Sequence, residues 1–293
     1  MKPFIRSALA LSFSFSVSIA AAAPSPQFKL DFTKAIKTAS DAVKVTKEFS
    51  EADEIALGQE VASNLLSLGP VLENQEVQNY VNKVGRWVSS HSERPDLPWT
   101  FVVLDSLNTN AFAAPGGYIV ITRGLLQSLN SEAELAGLLG HEISHVIRKH
   151  HLSAIKKADA TSFTKGLGSQ LLENSGKANN TTRFAVELIS GVVALYGKGL
   201  EKDDEFEADR MGVVLATRAG YDPFGLPAAL QTIQSTSMNS NYLQLFLETH
   251  PKPVDRLNQL DRVMGSKFDR YDGLPSLEDR FLKIKESLIS RKK

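Results

Sequence analysis

Two histidines four residues apart flank a glutamate in the run His141-Glu142-Ile143-Ser144-His145. On a helix, that spacing puts both imidazoles on one face, one turn apart. There they can hold one Zn2+ ion at ~2.0–2.1 Å. Glu142, one residue on, points beside the metal and not at it, so its carboxylate can take a proton from a water held there. A catalytic zinc needs a third protein ligand and an open fourth position. Asp203-Asp204-Glu205-Phe206-Glu207-Ala208-Asp209 supplies candidates. Glu205 and Asp209 share one helix face, but so do Asp203 and Glu207, and spacing alone does not choose between the pairs. In the first arrangement Glu205 reaches the metal and Asp209 hydrogen-bonds a ligand imidazole from behind, fixing its tautomer. The competing reading is an acidic helix start favoured by the helix dipole.

These residues need helices to hold them. Ser131-Glu132-Ala133-Glu134 is a capping box, Ser131 capping and Glu134 reaching back. The helix it opens is predicted to run to about His150 and to carry the histidine motif after an apolar stretch (Leu135, Leu138, Leu139). Gly137 lies four residues before His141, and glycine inside a helix costs ~1 kcal/mol against alanine, which makes sense if a neighbour approaches there. The acidic segment opens a second helix from Asp203 to a stop at Gly220, and its stripe Ala208, Gly212, Ala216 suits close packing on the Gly137 side of the first. Upstream, helices are predicted from Ser50 towards Gly69-Pro70 and from about Gln75 to before Pro95. Trp99–Leu104 and Gly117–Thr122 read as two strands joined by a long loop through Asn110-Ala111-Phe112-Ala113. Further helices are predicted over Pro223–Gln234, Pro253–Met264 and Leu277–Ser290. The fold class is α+β, mostly helical, with one small sheet.

Composition narrows the function. The chain has 293 residues, and its 33 Lys and Arg balance 33 Asp and Glu, which argues against a nucleic-acid partner. There is no cysteine, so thiolate metal sites, cysteine nucleophiles and disulfides are excluded. Lys2 and Arg6 precede an apolar stretch from Ala8 to Ala20, followed by small residues up to Pro24, the form of a secretory signal peptide cleaved after Ala22. The organisation expected is a signal peptide over 1–22, a linker and helix over 23–49, a catalytic domain over 50–267 and a C-terminal helix over 268–293. No later segment is apolar enough to span a bilayer, the best being Phe184–Leu200 with Glu187 and Lys198 inside it, so membrane association is peripheral at most. The stretch Ser153–Lys202 is a candidate lid.

His141 to His145, followed about sixty residues later by Glu205-Phe206-Glu207-Ala208-Asp209, resembles the gluzincin peptidases related to HtpX, Oma1, BepA and the type I CAAX prenyl protease. Asn110 to Leu126 looks like that family's strand and loop before the metal helix, and Thr249 to Leu257 like its late His-Pro segment with a following Arg. The resemblance covers about Ser50 to Met264 and implies a zincin-like metalloprotease fold with the small sheet beside the motif helix. It maps the third ligand to Glu205 and the supporting carboxylate to Asp209. It makes His250 a candidate either for a donor to the developing oxyanion or for a fourth zinc ligand. Arg256 would order the His250 segment by pairing with an acidic residue, and stands with Asn110 as a candidate substrate-binding residue, unless it is an ordinary helix-surface arginine.

The expectation is a zinc-dependent endopeptidase with one Zn2+ per chain and protein or peptide substrates, exported, with the periplasm the expected compartment. Protein quality control at the cell envelope is what the likeness to small exported members implies. Substrate would bind extended, pairing with Gly117–Thr122 as an edge strand, with Asn110 as a hydrogen-bond partner or else a turn residue. His150 and His151 read as helix-end residues that suit the negative end of the dipole, and they are not assigned to the metal. The rival reading is a zinc-stabilised chaperone or scaffold without proteolytic activity, against which an intact Glu142 counts, since a structural zinc site needs no base.

Overall fold

Near-continuous apolar runs between Thr100 and Thr122 build a sheet with two buried faces. The computed structural model describes residues 49–157, 199–237 and 244–289. The leader, nearly all of the linker segment and residues 158–198 of the candidate lid lie outside the described residues. All described residues belong to one unit, Thr33–Lys293.

Ser50 caps the first helix, α1 (Glu51–Leu65), through both arms of a capping box with Asp53. Asn74 caps α2 (Gln75–Ser89), whose Val77, Val81, Val84 and Val88 form one buried stripe. Three strands follow: β1 (Thr100–Leu104), β2 (Ala111–Ala114) and β3 (Tyr118–Thr122). Their order is β1-β3-β2, with β1 parallel and β2 antiparallel to β3. Phe101, Val103, Ala111, Ala113, Ile119 and Ile121 join the main core with α2, while Leu104, Phe112, Ala114, Tyr118 and Val120 pack on α1. That division follows the two-residue period of a strand.

The sheet corrects two expectations. The stretch read as a loop through Ala111–Ala113 is a strand, and Gly117–Thr122 is not an edge: β3 lies in the middle, paired on both sides. A three-residue hairpin, Pro115-Gly116-Gly117, turns β2 back onto β3, with Gly116 at φ +75° and a Cβ there only 2.6 Å from Ile55 Cα. Four consecutive small or aromatic residues without a polar alternation hide the strand, because both of its faces are buried.

After α3 (Arg123–Ser128), Ser131 caps α4 (Glu132–Ile147), accepting from Glu134 N–H, while the Glu134 carboxylate reaches one residue further back, to Asn130 N. The helix does not run to His150. Lys149 takes φ +58°, a left-handed turn that costs a non-glycine residue ~1–2 kcal/mol, and α5 (His150–Lys157) starts in a new direction. Lys149 Nζ lies 3.3 Å from the fully buried Glu54, which also binds Arg94 at 2.8 Å and Gly116 N at 3.2 Å. Then come α6 (Lys202–Arg218), α7 (Gly225–Ser237), α8 (Gln244–Thr249), α9 (Pro253–Met264) and α10 (Glu278–Ile289). Phe281 of α10 is fully buried in the main core, so the C-terminal helix shares the core of the rest.

The packing of α6 on α4 positions the site. Gly140 and Gly212 meet backbone to backbone: a Cβ on Gly212 would lie 2.8 Å from His141 N, and one on Gly140 2.8 Å from Gly212 O. The small-residue stripe expected on α6 is the contact surface, but Gly140 faces it more directly than Gly137, whose Cβ would strike Leu226 N of α7 at 2.6 Å.

Candidate active site

α4 brings His141, Glu142 and His145 to one buried face, and α6 brings Glu205 opposite them. His141 Nε2 and His145 Nε2 are 3.0 Å apart, and the Glu205 carboxylate oxygens lie 3.6 and 3.5 Å from them. Ligands held tetrahedrally at the ~2.0–2.1 Å of a zinc site stand about 3.3 Å apart, so these three fit a bound metal ion. Glu205 Oε2 makes no hydrogen bond although it is fully buried, a costly orphan that a cation would satisfy.

Burial acts on every group here. It lowers His141 to about 4, with the Arg256 charge adding to it, and lowers His145 and His250 well below the usual histidine value. Neutral imidazoles are the ligand form. Burial raises Glu205 well above the carboxylate range and Glu142 to about 8. A dication between the three ligands would pull both back down.

Asp209, one turn beyond Glu205, places Oδ1 2.9 Å from His141 Nδ1. Burial alone would raise its pKa, but the Arg256 charge and hydrogen bonds from His141 and Arg256 hold it well below the usual range. Arg256 of α9 is fully buried and forks onto Asp209, with Nε 2.9 Å from Oδ2 and an Nη 2.5 Å from Oδ1. The expected pairing of Arg256 with an acidic residue is found, with Asp209 as the partner, but its assignment to substrate binding is corrected: a guanidinium with no exposed surface supports the carboxylate behind His141. Asn110 is corrected likewise. It is fully buried at the start of β2, its Oδ1 accepts from Ala111 N at 2.9 Å, and it does not line the cavity.

His250 follows α8 and stacks on Phe246 at 4.7 Å between ring centroids. Its Nε2 lies 4.0 Å from Glu142 Oε1, and its Nδ1 2.9 Å from Thr249 Oγ1. Ala111, Phe112 and Ala113 of β2 line the same cavity as Glu142, His145, Glu205 and His250. Its volume is about 30 Å3.

His150 and His151 are not at the negative end of the motif helix but open α5. Both are buried, His150 Nδ1 is 2.9 Å from His145 Nδ1, and His151 lines the cavity. A helix unbroken to residue 150 would exclude this contact, and the only signal available in sequence is the pair of histidines itself. Glu207 lies off the three-ligand cluster, with Arg148 at 2.6 Å and His150 Nε2 at 3.3 Å.

Residues 72–264 match peptidase family M48. The chain belongs to that family. Its relatives include the beta-barrel assembly-enhancing protease of Escherichia coli K12, 28% identical over 71% of this chain and 43% of the relative. The mitochondrial metalloendopeptidase OMA1 of Arabidopsis thaliana is 29% identical over 64% of this chain and 36% of the relative. The OMA1 metalloendopeptidase of Bos taurus is 29% identical over 58% of this chain and 33% of the relative. The chain thus matches less than half the length of these M48 proteins. The M48 match takes in both site helices, β2 and the His250–Arg256 segment. Among the described residues no helix is long and apolar enough to cross a membrane.

Proposed function

We propose that this M48 protein is a zinc-dependent endopeptidase of the cell envelope that hydrolyses peptide bonds of unfolded or misassembled proteins. One observation carries the reading: His141, His145 and Glu205 converge with tetrahedral spacing, and the buried Glu142 stands beside them as a base. Zn2+ held by the three ligands would polarise the scissile carbonyl and bring the pKa of a bound water to about 7. Glu142 accepts the proton of the attacking water and returns it to the leaving nitrogen. His250, 4.0 Å from Glu142, is placed to donate to the carbonyl oxygen as negative charge develops, or to cap the resting site as a fourth ligand. Asp209 orients His141, and Arg256 holds Asp209 ionised.

Substrate binds extended at the cavity that Ala111, Phe112 and Ala113 line, and not along β3, which is paired on both sides. Recognition of an extended main chain reads little side-chain identity, which suits unfolded substrates. The signal-peptide-like sequence over 1–22 supports export to the periplasm, and the name of the Escherichia coli relative, which speaks of beta-barrel assembly, supports misassembled proteins as substrates.

The test compares the purified protein with Glu142→Gln. Both should bind one zinc, and only the parent should cleave unfolded casein, the variant losing ~10²–10⁴-fold or more. Parent-level cleavage by the variant sinks the mechanism. A zinc-loaded parent that cleaves nothing favours the chaperone or scaffold reading.

A further inference from the structure

The geometry points to His150 as a positioning residue for the metal site, which fixes the tautomer and orientation of His145 by accepting its Nδ1 proton and is itself held by Glu207. The inference rests on the metal reading of His141, His145 and Glu205.

The proton bookkeeping leaves one arrangement. If His145 Nε2 faces the metal as a neutral ligand, its proton sits on Nδ1. Nδ1 lies 2.9 Å from His150 Nδ1, which must then be the acceptor. A neutral His150 that accepts at Nδ1 carries its own proton on Nε2. That nitrogen lies 3.3 Å from Glu207 Oε2, whose other oxygen is 2.6 Å from Arg148. Asp204, at 3.8 Å, is beyond hydrogen-bond reach. The same logic orders the partner ligand: His141 Nδ1 donates to Asp209 at 2.9 Å, and the Arg256 nitrogen 3.2 Å away, also a donor, cannot bond to it. Each imidazole therefore has its own support, a carboxylate directly for His141 and a histidine backed by a carboxylate for His145.

The backbone is built for this contact. On an unbroken helix, residue 150 would lie about 140° round from residue 145, facing away. The left-handed turn at Lys149 breaks the helix and swings His150 back onto His145. His150 is buried, so water does not offer the Nδ1 proton another acceptor there.

The experiment measures zinc affinity of the full chain by chelator competition, and melting of the metal-free proteins. His150→Phe keeps a ring but has no acceptor, and should weaken zinc binding about 10–100-fold, the range for residues that orient a ligand. His150→Asn puts an amide oxygen near the position of Nδ1 and should restore affinity to within about threefold. Glu207→Gln should weaken binding severalfold in the parent and leave the His150→Asn protein unchanged, since the shorter amide side chain does not reach Glu207. Parental affinity in His150→Phe overturns the assignment. So does equal loss in His150→Phe and His150→Asn, or an equal effect of Glu207→Gln in both backgrounds. If His150→Phe melts well below the parent without metal, the Glu207→Gln comparison decides alone. A parent that takes up no zinc at all refutes the metal site itself and not this support.

Discussion

Adding one methyl group at Gly212 tests whether the α4–α6 contact sets the metal geometry. In an open helix, Gly→Ala stabilises by ~1 kcal/mol. Here the new Cβ falls 2.8 Å from His141 N, 3.0 Å from His141 Cα and 3.2 Å from Gly137 O. All three are backbone atoms, so no rotamer change relieves the contact, and ordinary carbon contacts begin near ~3.5 Å. The helices must part by about 0.7 Å. Overpacking of this kind costs ~1–3 kcal/mol, so the net effect is a loss of about 1 kcal/mol, or ~2–4 °C in melting temperature. The larger effect is on the metal. Glu205 rides on α6 and the two histidines on α4, so their present 3.5–3.6 Å separations would stretch towards ~4.2 Å, beyond a tetrahedral edge of about 3.3 Å. At a zinc concentration 100-fold above the parental Kd, binding adds about 2.7 kcal/mol to the parent but only about 1.4 kcal/mol to a variant with tenfold weaker affinity. Melting of Gly212→Ala with and without zinc reads both terms. A variant that melts as high as the parent metal-free, and gains as much from zinc, refutes the claim that this contact positions Glu205.

Other outcomes follow from the same geometry. Glu205→Gln should lose most of its zinc, while Asp209→Asn should weaken binding by about 10–100-fold, both read as metal content after dialysis against a graded chelator. Arg256→Leu leaves Asp209 buried without its cation and should cost about 3–5 kcal/mol in urea unfolding, although Arg256 touches no solvent. Phe281→Ala should cost about 3–5 kcal/mol by the same assay, since α10 is part of the main core and not an appendage.

Local sequence determined the elements whose signals are local. Ser50 with Asp53 and Ser131 with Glu134 start helices through hydrogen bonds spanning only a few residues. The four-residue spacing of His141 and His145 and the one-turn spacing of Glu205 and Asp209 put ligand and support on common faces once helices form. The motif and its resemblance also put the chain among metallopeptidases before any tertiary contact is considered. Which acid meets which base is not local. Spacing leaves Glu205 and Glu207 on separate faces of one helix, and only the Gly140–Gly212 contact turns Glu205 towards the histidines and Glu207 towards His150. Arg256 reads equally as a surface residue, because nothing nearby in sequence says that its partner, Asp209, is buried 47 residues upstream. β2 escapes a sequence reading because a strand buried on both faces lacks the alternation that marks one, and sheet order depends on which strand inserts between the others. The bend at Lys149 is hidden for the same reason: a left-handed lysine is unfavourable by itself, and the buried Glu54 that holds it lies about ninety residues away in sequence.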